Sequence, residues 1–231
     1  MSDSISLNKY LSSTGICSRR EADGWIEAGR ITINGTVARR GNRVEVGDAV
    51  LLDGKPVGGR PAPVYLAFHK PPGVTSTTDP KDPDNIIDYL KYPQRIFPIG
   101  RLDKASTGLI LLTNDGDVVN EILRAENEHE KEYIVTVDRP VTPAFLRGMA
   151  AGVPILNTRT APCAVERLGQ RAFRIILTQG LNRQIRRMCA FFGYSVLTLK
   201  RVRIMHIELG ELPVGQYRLI DPPVAPAAPP G

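Results

Sequence analysis

The run Leu109–Thr113, LILLT, constrains the fold of this chain more than any other segment. It is nearly all apolar and lies between Gly108 and the turn residues Asn114-Asp115-Gly116. So short an apolar run between turn signals predicts a central strand covered on both faces. The loop ahead of it, GRLDKAST from Gly100 to Thr107, carries one carboxylate, Asp103, between the cations Arg101 and Lys104. A loop anchored to a buried strand holds what it presents, so Asp103 is predicted to be fixed for chemistry. Ser106 is expected to cap this loop.

The surrounding pattern predicts an α+β fold with a mixed, mainly antiparallel sheet and a few packed helices. VYLAFHK at 64–70 alternates before Pro71-Pro72-Gly73 forces a turn. After Gly116, Val118, Val119, Ile122 and Leu123 share one helical face. YIVTV at 133–137, FRIILT at 173–178 and the segment 195–209 supply further strands, and Thr142-Pro143 opens a short helix. A helix is expected over 182–192, stopping at Gly193, with Ile185, Met188, Cys189 and Phe192 facing the core.

Residues 1–58 form a separate expectation. Leu7, Tyr10 and Leu11 make an apolar helical stripe, Ser18 with Glu21 spells a capping box, and Asn34-Gly35 marks a tight hairpin turn. A short strand is expected within GDAVLLDG at 47–54. Residues 59–63 are read as a linker, 64–222 as a second domain and 223–231 as a disordered tail.

Charge bears on the partner. The formal net charge is +6, and residues 171–218 hold nine Lys or Arg against two acids. Such a concentration favours a phosphate track, a solvated basic face being the alternative. Arg183, Arg186 and Arg187 crowd one helical segment, which implies anionic partners, while Arg201 and Arg203 alternate on one strand and read as phosphate-directed. Three scattered cysteines and three scattered histidines give no disulfide framework and no metal constellation. No apolar stretch is long enough to span a bilayer, the N-terminus lacks a secretion segment, and the sparse cysteines fit a reducing cytoplasm. A soluble, cytoplasmic monomer without membrane association is expected.

In spelling and spacing, GRLDKASTGLILLTNDG closely resembles the active-site motif of RNA pseudouridine synthases, in the branch acting on ribosomal RNA. HKPPG, HEKEYIVTV, AGVPIL, QGLNRQIRRM and LKRVRIM extend the resemblance. LNKYLSSTGICSRREADGWIEAGRITING resembles the RNA-binding module of ribosomal protein S-four type. Together FPIGRLDKAS, HEKEY and GLNRQIRRMC resemble most the RluF-type subgroup, which modifies large-subunit ribosomal RNA.

The resemblance implies conversion of uridine to pseudouridine by base flipping, glycosidic bond cleavage, base rotation and rejoining through carbon, with no cofactor and no metal. It implies Asp103 as the catalytic carboxylate, Arg186 as its ion-pair partner and Tyr133 as the ring stacked on the target base. Read from pattern alone, a tyrosine on an alternating strand is more often core. Lys9, Arg19, Arg20 and Arg30 would face RNA from the N-terminal module, or else form the wet face of its helices. Lys70, Arg101, Lys104, Lys131, Arg183, Arg187, Arg201 and Arg203 complete the expected RNA contacts, Lys70 through the turn that shapes the cleft, a purely structural turn being the alternative there. Ribosomal RNA of the large subunit is the expected substrate. Transfer RNA, small-subunit RNA and a non-catalytic role in ribosome assembly are the alternatives.

Overall fold

The computed structural model describes residues 4–123 and 129–224. Most of the expected tail, residues 225–231, lies outside the described residues. The chain divides into two compact units. One runs through Val64 and takes in Tyr92–Arg95 and Asn114–Gly116, and the other comprises Tyr65–Lys91, Ile96–Thr113 and the chain from Asp117 onward.

The first unit contains β1 (Ile5–Ser6), α1 (Leu7–Ser13), α2 (Arg19–Glu27), β2 (Ile31–Ile33), β3 (Thr36–Val37), β4 (Arg43–Val44), β5 (Val50–Leu52) and β6 (Lys55–Pro56). The capping box forms as read: the Ser18 hydroxyl accepts from the Glu21 amide, and the Glu21 carboxylate accepts from the Ser18 amide. Two otherwise unpaired donors at the helix start are thereby satisfied. Asn34 and Gly35 take φ of +51° and +80°, the left-handed pair that a two-residue hairpin between β2 and β3 requires. Leu7 and Leu11 of α1 and Ala22 and Ile26 of α2 close over Ile31, Val44 and Val50, forming the unit's core.

The second unit contains β7 (Tyr65–Lys70), α3 (Ile86–Leu90), β8 (Phe97–Ile99), β9 (Thr107–Thr113), α4 (Gly116–Leu123), β10 (Lys131–Val137), α5 (Pro143–Ala150), β11 (Pro154–Ile155), β12 (Thr158–Arg159), β13 (Ala164–Arg167), β14 (Ala172–Leu177), α6 (Gln184–Phe191), β15 (Val196–Ile204), β16 (Ile207–Glu208) and β17 (Tyr217–Leu219). One large sheet runs in the order β13-β14-β10-β15-β9-β7-β17, with β16 paired to β15 and β8 to β9. Its described pairs are antiparallel except β15 with β9. As expected, β9 is central, with every residue from Gly108 to Thr113 buried. Tyr133, Val135, Val137, Phe173, Ile175 and Leu199 meet Phe145, Met149, Ile185 and Met188 in the larger core.

Three local expectations are corrected. The alternation in VYLAFHK suggested a half-wet strand, yet all six residues of β7 are buried. Tyr65 and Ala67 join the core beside α4, while Phe68 meets Tyr89 of α3 at 5.8 Å between ring centroids. Its polar members stay buried because each finds a backbone acceptor: His69 Nδ1 lies 2.7 Å from Leu212 O, and Lys70 Nζ donates to main-chain carbonyls. The helix expected over 182–192 starts at Gln184, because Arg183 adopts a left-handed conformation (φ +50°) that α6 cannot continue through. Leu123 is exposed rather than part of the apolar face of α4.

The parallel junction depends on Gly108. It pairs with Arg201 at φ +112°, and a Cβ there would lie 2.2 Å from Arg201 O and 2.5 Å from Arg201 N. Both obstacles are backbone, so neither can rotate away. Gly108→Ala is expected to lower unfolding free energy by more than about 3 kcal/mol, combining overpacking with strained φ. Gly24→Ala, in open space within α2, is expected to raise it by about 0.5–1 kcal/mol. Urea denaturation of both variants checks the pair, and an unperturbed Gly108→Ala midpoint would refute the junction argument.

Candidate active site

Asp103 occupies the loop between β8 and β9, and hydrogen bonds from several residues fix that loop. The Ser106 amide donates to Asp103 O at 2.9 Å, closing a tight turn. Ser76 Oγ donates to Leu102 O at 2.9 Å and accepts from Leu102 N at 3.2 Å. Lys70 Nζ reaches Lys104 O at 3.3 Å as well as Pro71 O and Val74 O, and the Gly73 amide also donates to Lys104 O. Arg201 donates to Arg101 O at 3.4 Å and to Leu109 O at 2.7 Å. The main chain is therefore tethered on both sides of Asp103, while the carboxylate itself retains 31 % of its side-chain exposure.

Arg186, in the first turn of α6, brings Nε to 3.4 Å from Asp103 Oδ2. Its Nη2 donates to Ser106 Oγ at 3.0 Å and its Nη1 to Val196 O at 3.4 Å. Only 15 % of the arginine side chain is exposed, so the ion pair is shielded on the arginine side and open on the aspartate side. The pair is electrostatic contact without an aligned Nε hydrogen bond, since Nε is buried with no hydrogen-bond acceptor. Arg183 Nη1 lies 3.8 Å from the same carboxylate oxygen and is half exposed. The left-handed turn at Arg183 that delays the start of the expected helix thus places a second guanidinium at Asp103. Ser106 is corrected from a loop cap to the hydroxyl that orients Arg186.

Tyr133 on β10 is 9 % exposed and shares a core cluster with Leu102, the neighbour of Asp103. The Arg201 guanidinium carbon lies 6.0 Å from its ring centroid. Lys131 stands at the start of the same strand, half-buried, with Nζ donating to His129 O at 3.0 Å. Burial, and then the charge of Arg201, hold its amine below the usual lysine range. Beside the Asp103 loop, a cavity of about 400 Å³ is lined by Thr77, Thr78, Phe97, Pro98 and Arg101 among others. Hydroxyls, an aromatic ring and a guanidinium together suit a sugar–phosphate chain with its bases.

Several expected RNA contacts do not survive the geometry. Lys70 is fully buried, with its ammonium spent on three carbonyls, so it builds the turn and touches no phosphate. Burial pushes its amine down to about 8, against the opposing pull of Asp103. Arg201, at 3 % exposure, is likewise unavailable to a phosphate. Arg203 is spent on Glu130 and Glu132, and Arg174 continues this ladder to Glu132 and Glu166. Alternation along β15 predicted none of this, because a bulge between Glu132 and Tyr133 shifts the register opposite Arg201 and Arg203.

Arg101, Arg187, Lys104, Arg19, Arg20 and Arg30 are exposed, and Lys9 is half-buried. Lys104 holds Asp84 at 2.7 Å, Arg187 holds Asn182, and Arg30 pairs with Asp53 while lying over Trp25. Ser76 and Ser106 were the supporting groups least visible beforehand. Nothing in their spacing marks a hydroxyl that meets a partner 26 or 80 residues away.

Comparison with known proteins converges on one family. The RNA pseudouridylate synthase family profile matches residues 64–191, and the S4 domain profile matches residues 6–50. Dual-specificity RNA pseudouridine synthase RluF of Salmonella typhi is 56% identical over 217 residues, covering 93% of this chain and 75% of that protein. The Escherichia coli K12 protein of that name is 55% identical over the same span. Ribosomal large subunit pseudouridine synthase B of Bacillus subtilis is 34% identical over 225 residues, covering 94% and 92% of the two chains. A crystal structure of a pseudouridylate synthase superposes with a TM-score of 0.69 at 27% identity, covering 94% of this chain and 96% of that one. With a tethered carboxylate facing an arginine in a sheet of this topology, the chain belongs to the RNA pseudouridine synthase family and carries an N-terminal S4 domain.

Proposed function

We propose that this enzyme isomerises a uridine of large-subunit ribosomal RNA, with transfer RNA as a second substrate class, and that Asp103, Arg186 and Tyr133 carry the reaction. The observation that carries the site assignment is the asymmetric pair. Asp103 is open on one side and held by a shielded guanidinium at 3.4 Å on the other. The names of the Salmonella typhi and Bacillus subtilis relatives, one dual-specific and one acting on the large ribosomal subunit, support the substrate reading.

The chemistry follows from the residues. The C1′–N1 bond breaks with its electron pair passing to the uracil, while the Asp103 carboxylate bonds to or neutralises the electron-poor C1′. Arg186, 3.4 Å from Oδ2, offsets the carboxylate's charge and keeps it aimed. The freed base turns against the Tyr133 ring, C5 bonds to C1′ as any bond between Asp103 and C1′ breaks and returns the carboxylate, and the C5 proton leaves as N1 takes one up. Atoms and charge balance without an oxidant or a leaving group. A target within paired RNA must first be everted, and the exposed Arg183 and Arg101 stand beside Asp103 to hold the backbone during that step. The S4 domain, with Arg19 and Arg20 exposed at the start of α2, supplies a further RNA-binding surface.

Asp103→Asn keeps shape and removes charge. Its single-turnover conversion of a reactive RNA is expected to fall at least ~10³-fold, the scale of losing a group that acts directly on the reacting atoms. Affinity is expected to stay within about twofold. Conversion near the wild-type rate would remove Asp103 from the reaction.

Arg19→Ala combined with Arg20→Ala is expected to weaken RNA binding by about tenfold at 0.1 M salt. The slope of log Kd against log salt should shrink by about 2, one for each lost phosphate contact. Conversion at saturating RNA should remain within about twofold. An unchanged salt slope would place these arginines off the RNA.

A further inference from the structure

Arg201 is a buried cation with no acidic partner among the described residues. It is 3 % exposed, and its contacts are two main-chain oxygens and one aromatic face. Burying a guanidinium is costly unless charge and hydrogen bonds are matched, and an apolar side chain of similar volume would serve packing better. Here the matching is incomplete, since Nη2 is buried with no acceptor. Fold stability alone therefore does not account for an arginine at this position.

Its two carbonyl partners do. Arg101 O lies two residues before Asp103, and Leu109 O lies in β9, just beyond the far end of the same loop. One guanidinium thus spans the base of the loop like a staple, at the point where the β15 backbone presses on Gly108. The same planar group lies 6.0 Å from the Tyr133 ring centroid, on the strand to the other side of β15. The planar fork suits two divergent acceptors and a ring face at once, whereas a lysine ammonium, a point charge on a flexible stem, does not.

We propose that Arg201 is a positioning residue for the isomerisation, fixing the Asp103 loop and the Tyr133 ring relative to one another through these three contacts. The proposal rests on the roles given above to Asp103 and Tyr133, and it replaces the phosphate role that alternation along β15 suggested. Arg201 acts by holding the carboxylate and the ring at one spacing, so its loss is felt in the chemical step and not in RNA affinity. A displacement of about 1 Å between reacting groups is enough to cost on the order of 10²-fold in rate.

The test compares wild type, Arg201→Lys and Arg201→Gln on one RNA that wild type converts, by single-turnover kinetics, equilibrium binding across a salt series and thermal unfolding. Arg201→Lys is expected to fold and to lose about 10- to 100-fold in rate at saturating RNA. Its Kd should stay within about twofold and its salt slope unchanged; Arg201→Gln should lose more rate. In a cycle with Tyr133→Leu, which removes the ring, the two rate losses are expected to be less than multiplicative, because both perturb one spacing. Rate retention within twofold by folded Arg201→Lys would overturn the proposal. So would a raised Kd with a salt slope reduced by about 1, the mark of a phosphate ligand. If neither variant folds, Arg201 is a stability element and the positioning role is likewise lost. A wild-type protein that binds RNA but converts no uridine would instead defeat the proposed function, and the two failures stay distinct.

Discussion

The close approach of β9 and β15 at Gly108 is the constraint on which the candidate site depends. These strands come from segments about 90 residues apart and form the one parallel pair described in an otherwise antiparallel sheet. Parallel neighbours cannot be joined by a hairpin, and here the connection carries α4, β10, α5, β11, β12, β13, β14 and α6 before the chain returns as β15. That excursion is what delivers the site. It brings Tyr133 on β10, Arg183 and Arg186 around the start of α6, and Arg201 on β15 to the loop that carries Asp103. A side chain at position 108 would separate the strands and, with them, the two halves of the site.

Around that junction the cations fall into three physical classes that sequence charge does not distinguish. Lys70 and Arg201 are buried and spend their donors on backbone carbonyls, acting as internal tethers. Arg183 and Arg186 converge on one carboxylate. Arg203 and Arg174 are held by Glu130, Glu132 and Glu166 in a ladder across neighbouring strands. The local excess of basic residues in the last third of the chain therefore overstates the surface available to phosphate, because part of it is consumed inside the fold.

The sequence was legible where local rules decide the outcome. The capping box at Ser18 and Glu21, the Asn34-Gly35 hairpin, the Thr142-Pro143 helix start and the buried LILLT strand all depend on residues a few positions apart. The pairing of Asp103 with Arg186 was legible for a different reason, through a resemblance that encodes long-range contact in motif spelling. Burial of Lys70 and Arg201 was not legible, since it depends on which strand lies alongside and on a bulge that shifts the register. α3, only five residues long, offers no apolar period to detect; its Asn85 cap, accepting from the Asp88 amide, is its one local signature. The left-handed Arg183 escaped for the same reason as the bulge. A single backbone conformation there moved the helix start to Gln184, where residue spacing alone would have begun it at 182.

A carboxylate that must meet a substrate atom faces two opposed demands. It must be accessible, which removes the packing that would hold its side chain, and it must be placed to within a fraction of an ångström. In this fold the side chain is left open, and immobility is supplied to the main chain beneath it. Ser76 holds Leu102, Lys70 holds Lys104, and Arg201 holds Arg101. The anchors are thus the backbone neighbours on either side of Asp103, so few torsions remain between the fixed chain and the carboxylate oxygens. Arg186 then selects among those that remain, itself steadied by Ser106 and Val196 O. Cations suit this purpose better than acids would. Main-chain carbonyls are the groups an irregular loop leaves unpaired, and a buried lysine or arginine can satisfy two or three of them without placing a second negative charge beside the first.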